Sequence, residues 1–225
     1  MSAEVLLAET DWVEDVRPEG RTVFHGAAWN PEDYGREQIR SLVRQVFLAG
    51  GRRTVRQVVF SALDSEMDVR TICMRVGVAL AIETAGSVAV VGYPHGLRHT
   101  EKDQPEGETN VPLRQSATRL RGNLWLVPAA ENLRNAVGSL HEYLTEVRRE
   151  FEYSIVEAPP PGELNETTAM AQFADGVILI LSAHRTRRVV ARKVKQMLEG
   201  AHARVLGTVL SDRIFPIPEG IYRRL

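Results

Sequence analysis

The residues from Leu63 to Thr71 stand between an apolar strand and a helix, a place where proteins often bind phosphate. They read LDSEMDVRT and include neither glycine nor lysine. A phosphate-binding loop uses glycines so that backbone N–H groups can close around the phosphate, a lysine for the outer oxygens, and a Ser or Thr hydroxyl for Mg²⁺. The sequence therefore predicts a loop in a phosphate-binding position that lacks most of the groups needed to bind phosphate.

Acidic side chains stand where a polyphosphate would lie. Asp64 opens the loop, and Glu66 and Asp68 follow within it. At close range each carboxylate would repel the ligand. The positions to be compared with a working phosphate loop are Asp64, Ser65, Glu66, Asp68, Val69, Arg70 and Thr71. We expect no cofactor and no metal here; ATP and Mg²⁺ would bind only if this interpretation of the loop is wrong.

Length, charge and cysteine usage restrict the class of protein. The chain has 225 residues, enough for one sizeable α/β domain, and a formal net charge of −1, which gives no overall attraction to nucleic acid or an anionic membrane. The single cysteine, Cys73, lies on the apolar face of a predicted helix, so we expect a core residue rather than a reactive thiol, and a reducing compartment. The first residues do not resemble a secretory signal, and no apolar run reaches about 18 residues. These features predict a cytoplasmic protein that reaches a membrane only through a partner.

Apolar runs and amphipathic stretches alternate along most of the chain. Strands are expected at 57–62, 87–92, 124–127, 153–157, 176–181 and 205–211, and helices from residue 31 to the glycines at 50 and 51 and at 68–84, 133–147, 167–174 and 187–199. The polar stretch from Tyr93 to about Arg119 is expected to be an exposed or partly disordered loop. This alternation predicts an α/β fold with a mainly parallel, doubly wound sheet and helices on both faces. Ligands of such sheets bind at the carboxyl ends of the strands.

The same pattern divides the chain into three parts. Residues 1–34 are predicted to form an extended arm, residues 35–213 the α/β domain, and residues 214–225 a C-terminal tail. The arm carries Trp12 and Trp29 without a regular period. Their rings would anchor the arm on its own domain or on a neighbouring subunit.

Several segments, in their order and spacing, carry a resemblance to a known family. They are EQIRSLVRQVFLAGG from Glu37, VVFSA from Val58, NLWLVPAA from Asn123, FEYSIVEAPP from Phe151, FADGVILILSAHRT from Phe173 and ARVLGTVLSD from Ala203. From about Glu37 to Asp212 the chain resembles the cytoplasmic tyrosine kinase domain of bacterial capsule and exopolysaccharide assembly, a relative of the ParA/MinD-like P-loop ATPases. The resemblance implies a sheet of the P-loop NTPase type.

The first ATP-binding motif of that family is altered in this chain. In the family a glycine-rich loop ends in Gly-Lys-Ser/Thr, whereas Asp68, Val69, Arg70 and Thr71 stand at the matching place. Only Thr71 keeps a family residue type. Arg70 is a candidate substitute for the lysine, although neighbouring side chains on a helix diverge by about 100°.

The family's acidic motifs are altered as well. Its Asp-x-Asp-x-Arg, which supplies carboxylates for Mg²⁺, is replaced by GYPHG at 92–96, and its third motif appears with Glu157 in place of aspartate. Octahedral Mg²⁺ tolerates little misplacement of a ligand, so the extra methylene would weaken a metal site. Glu157 is therefore a vestigial acidic position, not a catalytic residue. The tail also lacks the tyrosine cluster that these kinases phosphorylate, since it contains only Tyr222.

One helix carries a further part of the resemblance. The family joins subunits into a ring through a Glu-x-x-Arg-x-x-Arg helix, and Glu37 and Arg40 match its first two positions while Arg44 lies one residue late. All three share one helical face, which predicts an oligomer interface. The alternative is a solvated helix face, because charges with this spacing are common on exposed helices.

The strongest basic cluster lies near the predicted helix at 187–199. Its members are Arg185, Arg187, Arg188, Arg192 and Lys193. Such a patch could meet nucleic-acid phosphates or an acidic segment of a partner, or it could be a solvated helix face. His95, His99 and His184 have no metal-binding spacing, so we expect them to be solvated.

The altered motifs predict a noncatalytic pseudokinase or pseudo-ATPase that acts as a scaffolding or regulatory component of exopolysaccharide or capsule synthesis and export. The process is implied by the resemblance alone. So are the partners, namely a membrane-anchored polysaccharide chain-length regulator, further copies of the chain, and an active kinase relative. Two other functions stay open: an active ATP-dependent protein tyrosine kinase (autokinase) of the same system, and a ParA-like nucleic-acid-binding protein. Nucleic acid is the less expected partner.

Overall fold

Within the residues that the structure describes, eight strands form one central sheet. The computed structural model describes residues 4–6, 31–50, 54–93, 113–128, 137–161 and 166–212. The strands are β1 (Glu4–Leu6), β2 (Gln57–Ala62), β3 (Val88–Val91), β4 (Thr118–Arg121), β5 (Leu124–Val127), β6 (Tyr153–Ala158), β7 (Gly176–Ser182) and β8 (Val205–Ser211). Their order in the sheet is β1-β8-β7-β2-β6-β3-β5-β4. The helices are α1 (Pro31–Val46), α2 (Val69–Glu83), α3 (Leu113–Ser116), α4 (Val137–Glu150), α5 (Glu166–Phe173) and α6 (Arg188–Gly200).

The interior of the sheet is parallel and its two edges are antiparallel. Strand β2 pairs in parallel with both β6 and β7, and β3 pairs in parallel with β5 and β6. Antiparallel pairing occurs where β1 meets β8 and where β4 meets β5. The predicted α/β class with a mainly parallel, doubly wound sheet is confirmed.

Alternate residues of the strands face two separate hydrophobic cores. On β2, Val58 and Phe60 face the core shared with α1 and α2, whereas Val59 faces the core shared with α4, α5 and α6. All residues of β2 are buried, including the polar Gln57 and Ser61. Helices therefore cover both faces, which is why the central strands read as continuous apolar runs instead of alternating ones.

Helix α2 lies unusually close to the sheet at Gly77. A Cβ atom at this position would come within 2.4 Å of Val90 Cγ2. Only glycine leaves room for this approach, so the axis of α2 is fixed over β3 and β6. The position of its first turn, next to the loop that follows β2, depends on this contact.

A polar network ties the amino ends of the central strands together. The Asp175 carboxylate accepts hydrogen bonds from the backbone N–H groups of Arg56 (2.7 Å) and Gln57 (2.8 Å), and it pairs with the Arg148 guanidinium of α4. Burial alone would raise the pKa of Asp175, but the hydrogen bonds from Arg148, Arg56 and Gln57 outweigh it and lower the pKa. The Gln57 amide adds a buried bond to the Leu144 carbonyl (3.0 Å).

Part of the stretch predicted as a loop from Tyr93 to about Arg119 is regular structure, so that prediction was wrong there. Residues 113–116 form α3, and residues 118–121 form β4, whose side chains are exposed. The strand is held by pairing with β5 and by the Arg119 guanidinium, which lies 5.5 Å from the Trp125 ring centre. Residues 94–112 of the predicted loop lie outside the described part of the chain.

Several other expectations can be compared with the described residues. Helix α1 begins at Pro31, inside the predicted arm, and β1 adds residues 4–6 of that arm to the sheet. Trp12, Trp29, His95, His99 and the 214–225 tail lie outside the described ranges. Cys73 is fully buried, as expected, and burial, with the charges of Glu157 and Asp68, raises the pKa of its thiol. None of the helices in the described ranges has the length and apolar composition needed to span a membrane.

We predict that Asp175→Asn lowers the free energy of unfolding by about 1–2 kcal/mol, because it weakens charge-assisted hydrogen bonds. The pKa of Asp175 is lowered in the folded state. Its contribution to the free energy of unfolding is therefore present above about pH 4 and is lost as the pH falls through the lower folded-state pKa. Urea denaturation at several pH values should show a weaker acid dependence in this variant. Asp33→Asn, in an exposed pair with Arg36, is the control; equal effects of the two substitutions would contradict the prediction.

Candidate functional site

The loop after β2 is a tight turn held by its own hydrogen bonds. The Leu63 N–H donates to the Ile180 carbonyl of β7 (3.1 Å), and the Met67 N–H donates to the Asp64 carbonyl (3.1 Å). The Glu66 N–H donates to Asp64 Oδ1 (3.1 Å). Backbone donors that an open phosphate-binding loop would turn toward a ligand are therefore used inside this loop.

Asp68 caps the first turn of α2. Its Oδ1 accepts from the Thr71 N–H (3.0 Å), and its Oδ2 accepts from the Thr71 hydroxyl (2.5 Å). A helix N-terminus attracts anions because its first N–H groups have no partner within the helix. Here a carboxylate of the chain itself holds that place, and it also engages the hydroxyl that resembles a magnesium ligand.

The remaining predicted loop positions differ in exposure. Val69 is buried in the core, whereas Ser65 and Arg70 are exposed. Arg70 forms no hydrogen bond or ion pair with any residue in the described ranges, so no contact draws it toward the loop as a replacement for lysine. Among the described residues, these loop positions bring no lysine or arginine side chain of their own to the place where a triphosphate would lie.

A contact that the sequence did not suggest joins this loop to the turn after β7. The Arg185 guanidinium hydrogen-bonds to the Glu66 carboxylate and lies 3.5 Å from Asp64 Oδ2. The hydrogen bond to Glu66 and the charges of Glu66 and Asp64 raise the pKa of Arg185. Asp64 and Glu66, which were predicted to repel phosphate, thus hold a cation of the chain, and Arg185 is set apart from the rest of the predicted basic patch.

Glu157 lies at the end of β6, only 2% exposed. Its Oε2 accepts a hydrogen bond from the Tyr93 N–H (3.2 Å), and the Tyr93 hydroxyl donates to Glu166 Oε2 (2.5 Å) at the start of α5. These residues border a cavity of about 10 Å³, also lined by Tyr143 and Met170. Such a cavity is close to the size of one water molecule, far below that of a nucleotide site.

Hydrogen bonds hold the other polar groups at this edge of the sheet. The Pro159 carbonyl, just after β6, accepts from the hydroxyls of Ser61 (2.5 Å) and Thr167 (2.6 Å). The Tyr143 hydroxyl donates to the Pro128 carbonyl (2.9 Å), and burial raises its pKa, which keeps the phenol protonated. Within the described ranges, no group of three or more His, Cys, Asp or Glu side chains is arranged to hold a metal ion.

The residues of the predicted oligomer interface lie together on the exposed side of α1. Glu37 and Arg40 form an ion pair at 3.7 Å, with about half of each side chain exposed. Arg44 donates to Glu83 Oε1 of α2 at 2.8 Å, and this hydrogen bond, followed by the charge of Glu83, raises the pKa of Arg44. The helical face is therefore formed, with its charges paired within one chain, and association through it stays a prediction.

The other basic residues lie on α6 or at its start. Arg187 precedes the helix without capping it through its side chain, and Arg188, Arg192 and Lys193 lie on its exposed side. His184, in the turn before them, is exposed. Whether this patch binds nucleic acid stays a prediction.

Comparison with known proteins identifies relatives of this chain. No family model matches. A segment of 109 residues, 46% of the chain, is 28% identical to tyrosine-protein kinase CpsD of Streptococcus agalactiae serotype III (strain NEM316), with the same values for the serotype Ia protein (strain A909). This match spans 43% of the length of those curated relatives.

Solved structures with this fold include bacterial tyrosine kinase domains. The kinase domain of Escherichia coli tyrosine kinase ETK superposes with a TM-score of 0.62 at 14% identity, covering 85% of this chain and 82% of that one. The VpsO kinase domain superposes with a TM-score of 0.60 at 18% identity, covering 82% of this chain and 98% of that one. The cell division protein MinD of Aquifex aeolicus superposes with a TM-score of 0.55 at 18% identity, covering 76% of this chain and 73% of that one. The chain is thus similar in sequence to bacterial tyrosine kinases named CpsD, and it has the ParA/MinD-like fold of bacterial tyrosine kinase domains, as the resemblance implied.

Proposed function

We propose that this chain is a noncatalytic scaffolding or regulatory component of exopolysaccharide or capsule synthesis and export. The observation that carries the proposal is the Asp68 carboxylate at the N-terminus of α2, which accepts from both the N–H and the hydroxyl of Thr71. In a P-loop protein the equivalent donors and hydroxyl serve the phosphates and Mg²⁺. A carboxylate of the chain itself competes directly with that ligand.

Two further observations support the proposal. The side chain that spans the loop is Arg185, and its charge is balanced by Glu66 and Asp64 instead of by a ligand. The acidic residue at the end of β6 is Glu157, buried beside a cavity of about 10 Å³. A fold that has lost its ligand chemistry can still present its outer helices to partners, because those surfaces do not depend on the pocket.

The family resemblance supports the partners and the location that we propose. We propose a cytoplasmic protein that meets a membrane-anchored polysaccharide chain-length regulator and that associates with itself or with an active kinase relative. The α1 face with Glu37, Arg40 and Arg44 is the surface proposed for association. Mixed assemblies with an active kinase would let a silent subunit adjust how many active sites an assembly contains.

We predict that isothermal titration with MgATP gives no saturable heat at concentrations that saturate an active kinase. The reason is that Asp68 accepts from the donors that a phosphate would need, and that Arg185 balances only one of the two negative charges of Asp64 and Glu66. The competing function, an ATP-dependent protein tyrosine kinase, is favoured by the name of the curated relatives. Saturable binding that is lost in Thr71→Ala or Glu157→Gln would overturn our proposal and favour the kinase.

We also predict that Asp68→Ala destabilises the fold by about 1 kcal/mol, because it removes the cap of α2. Chemical denaturation measures the effect, and the exposed neighbour Ser65, changed to Ala, is the matched control. Asp68→Asn should retain most of the stability, since its amide oxygen can still accept from the Thr71 N–H. Equal stability of Asp68→Ala and Ser65→Ala would show that the cap contributes nothing.

A charge exchange tests the α1 face. Glu37→Arg with Arg40→Glu keeps the pair within the helix and the net charge, but reverses the pattern that a second copy would meet. We predict that light scattering shows loss of self-association while the thermal unfolding temperature changes little. Lys195→Glu with Glu199→Lys, the same exchange in an ion pair on α6, should leave association intact. A chain that is monomeric before any substitution would contradict the interface.

A further inference from the structure

The exposed side of α6 combines apolar side chains with cations that have no partner among the residues that the structure describes. Arg187, Arg188, Arg192 and Lys193 make no side-chain hydrogen bond or ion pair with the part of the chain that the structure describes. This distinguishes them from Arg185, which is neutralised by Glu66 and Asp64. Their charge is therefore available to an outside anion.

Apolar side chains lie among these cations. Val189 is 77% exposed, Val190 45% and Met197 39%, while only Val194 and Leu198 of this helix are buried. Val189, Lys193 and Met197 follow at four-residue spacing and so form one row along the helix. We name the set of Arg188, Val189, Val190, Arg192, Lys193 and Met197 the outer face of α6. A purely solvated helix face would not be expected to expose three apolar side chains within ten residues.

We propose that the outer face of α6 docks on an anionic membrane surface. A lipid bilayer offers the two environments that this face needs, a layer of phosphate charge for the cations and an apolar layer below it for the valines and the methionine. Nucleic acid offers only the charge, since its phosphate backbone provides no apolar phase for Val189 or Val190. The combination of charge and apolar exposure therefore favours a lipid surface over nucleic acid.

The position of α6 allows this contact. Val194 and Leu198 hold the helix on the sheet from one side, in the core that also contains Leu144 and Met170. Helix α1, whose exposed side carries the predicted association face, packs on the other core, on the opposite face of the sheet. Membrane contact and self-association would therefore use opposite sides of the molecule and would not compete.

The test is sedimentation of the whole chain with phosphatidylcholine vesicles, with and without phosphatidylglycerol. We expect binding only to vesicles that contain the anionic lipid, and release as salt is raised. Changing Arg188, Arg192 and Lys193 to Gln should weaken binding by about a hundredfold, because each cation near an anionic surface contributes about fivefold. A charge-matched control changes the exposed Arg75, Arg149 and Arg204 to Gln, and its binding to the anionic vesicles should be weakened far less.

A second variant isolates the apolar contribution. Val189→Ser with Val190→Ser keeps every charge and changes only exposed side chains, so it is expected to fold; it should weaken vesicle binding severalfold and leave binding to duplex DNA unchanged. Equal binding of both vesicle types, or no loss in the neutralised variant, would overturn the proposal. So would salt-sensitive binding to duplex DNA without binding to vesicles, which would assign the face to nucleic acid. Because neither ATP nor a partner protein is present, failure here leaves the proposed scaffolding role untouched.

Discussion

The burial of β2 on both faces is the constraint on which the rest of the structure depends. With β6 on one side, β7 on the other and a hydrophobic core above and below, this strand has no surface in contact with solvent. Its backbone groups must be paired within the sheet, and its side chains must be apolar or hydrogen-bonded. The strand therefore fixes the position of the loop at 63–68 at the sheet edge, whatever side chains that loop contains.

The sequence was informative where structure follows from local periodicity. The buried strands and the amphipathic helices were predicted to within a few residues, because apolar runs and four-residue spacing are visible in one dimension. Strand β4 was missed for the opposite reason. Its residues, TRLR, are mostly polar and exposed, and they become a strand because β5 offers an open edge and because Arg119 lies over Trp125. Such pairing depends on tertiary neighbours, and no local pattern reveals it.

Some features of the candidate site could likewise be predicted from the sequence, and others could not. That the loop lacks glycine and lysine could be read directly from the chain, and so could the acidic character of Asp64 and Glu66. Their partner could not, because Arg185 is 119 positions away from Glu66 and belongs to another turn. The pairing of Arg44 with Glu83 spans 39 positions and was equally hidden. Charge counts along a sequence list the available ions, whereas the fold decides which of them neutralise each other.

The Asp175 network lies at the amino ends of β2 and β7, a full strand length from the loop at 63–68. It secures the start of the central strands through backbone donors and Arg148, and none of these groups approaches the carboxyl edge. The hydrogen bonds that anchor the central strands and the loop at 63–68 thus lie at opposite ends of the strands. Side chains at the carboxyl edge can therefore be exchanged without weakening the hydrogen bonds that anchor the central strands.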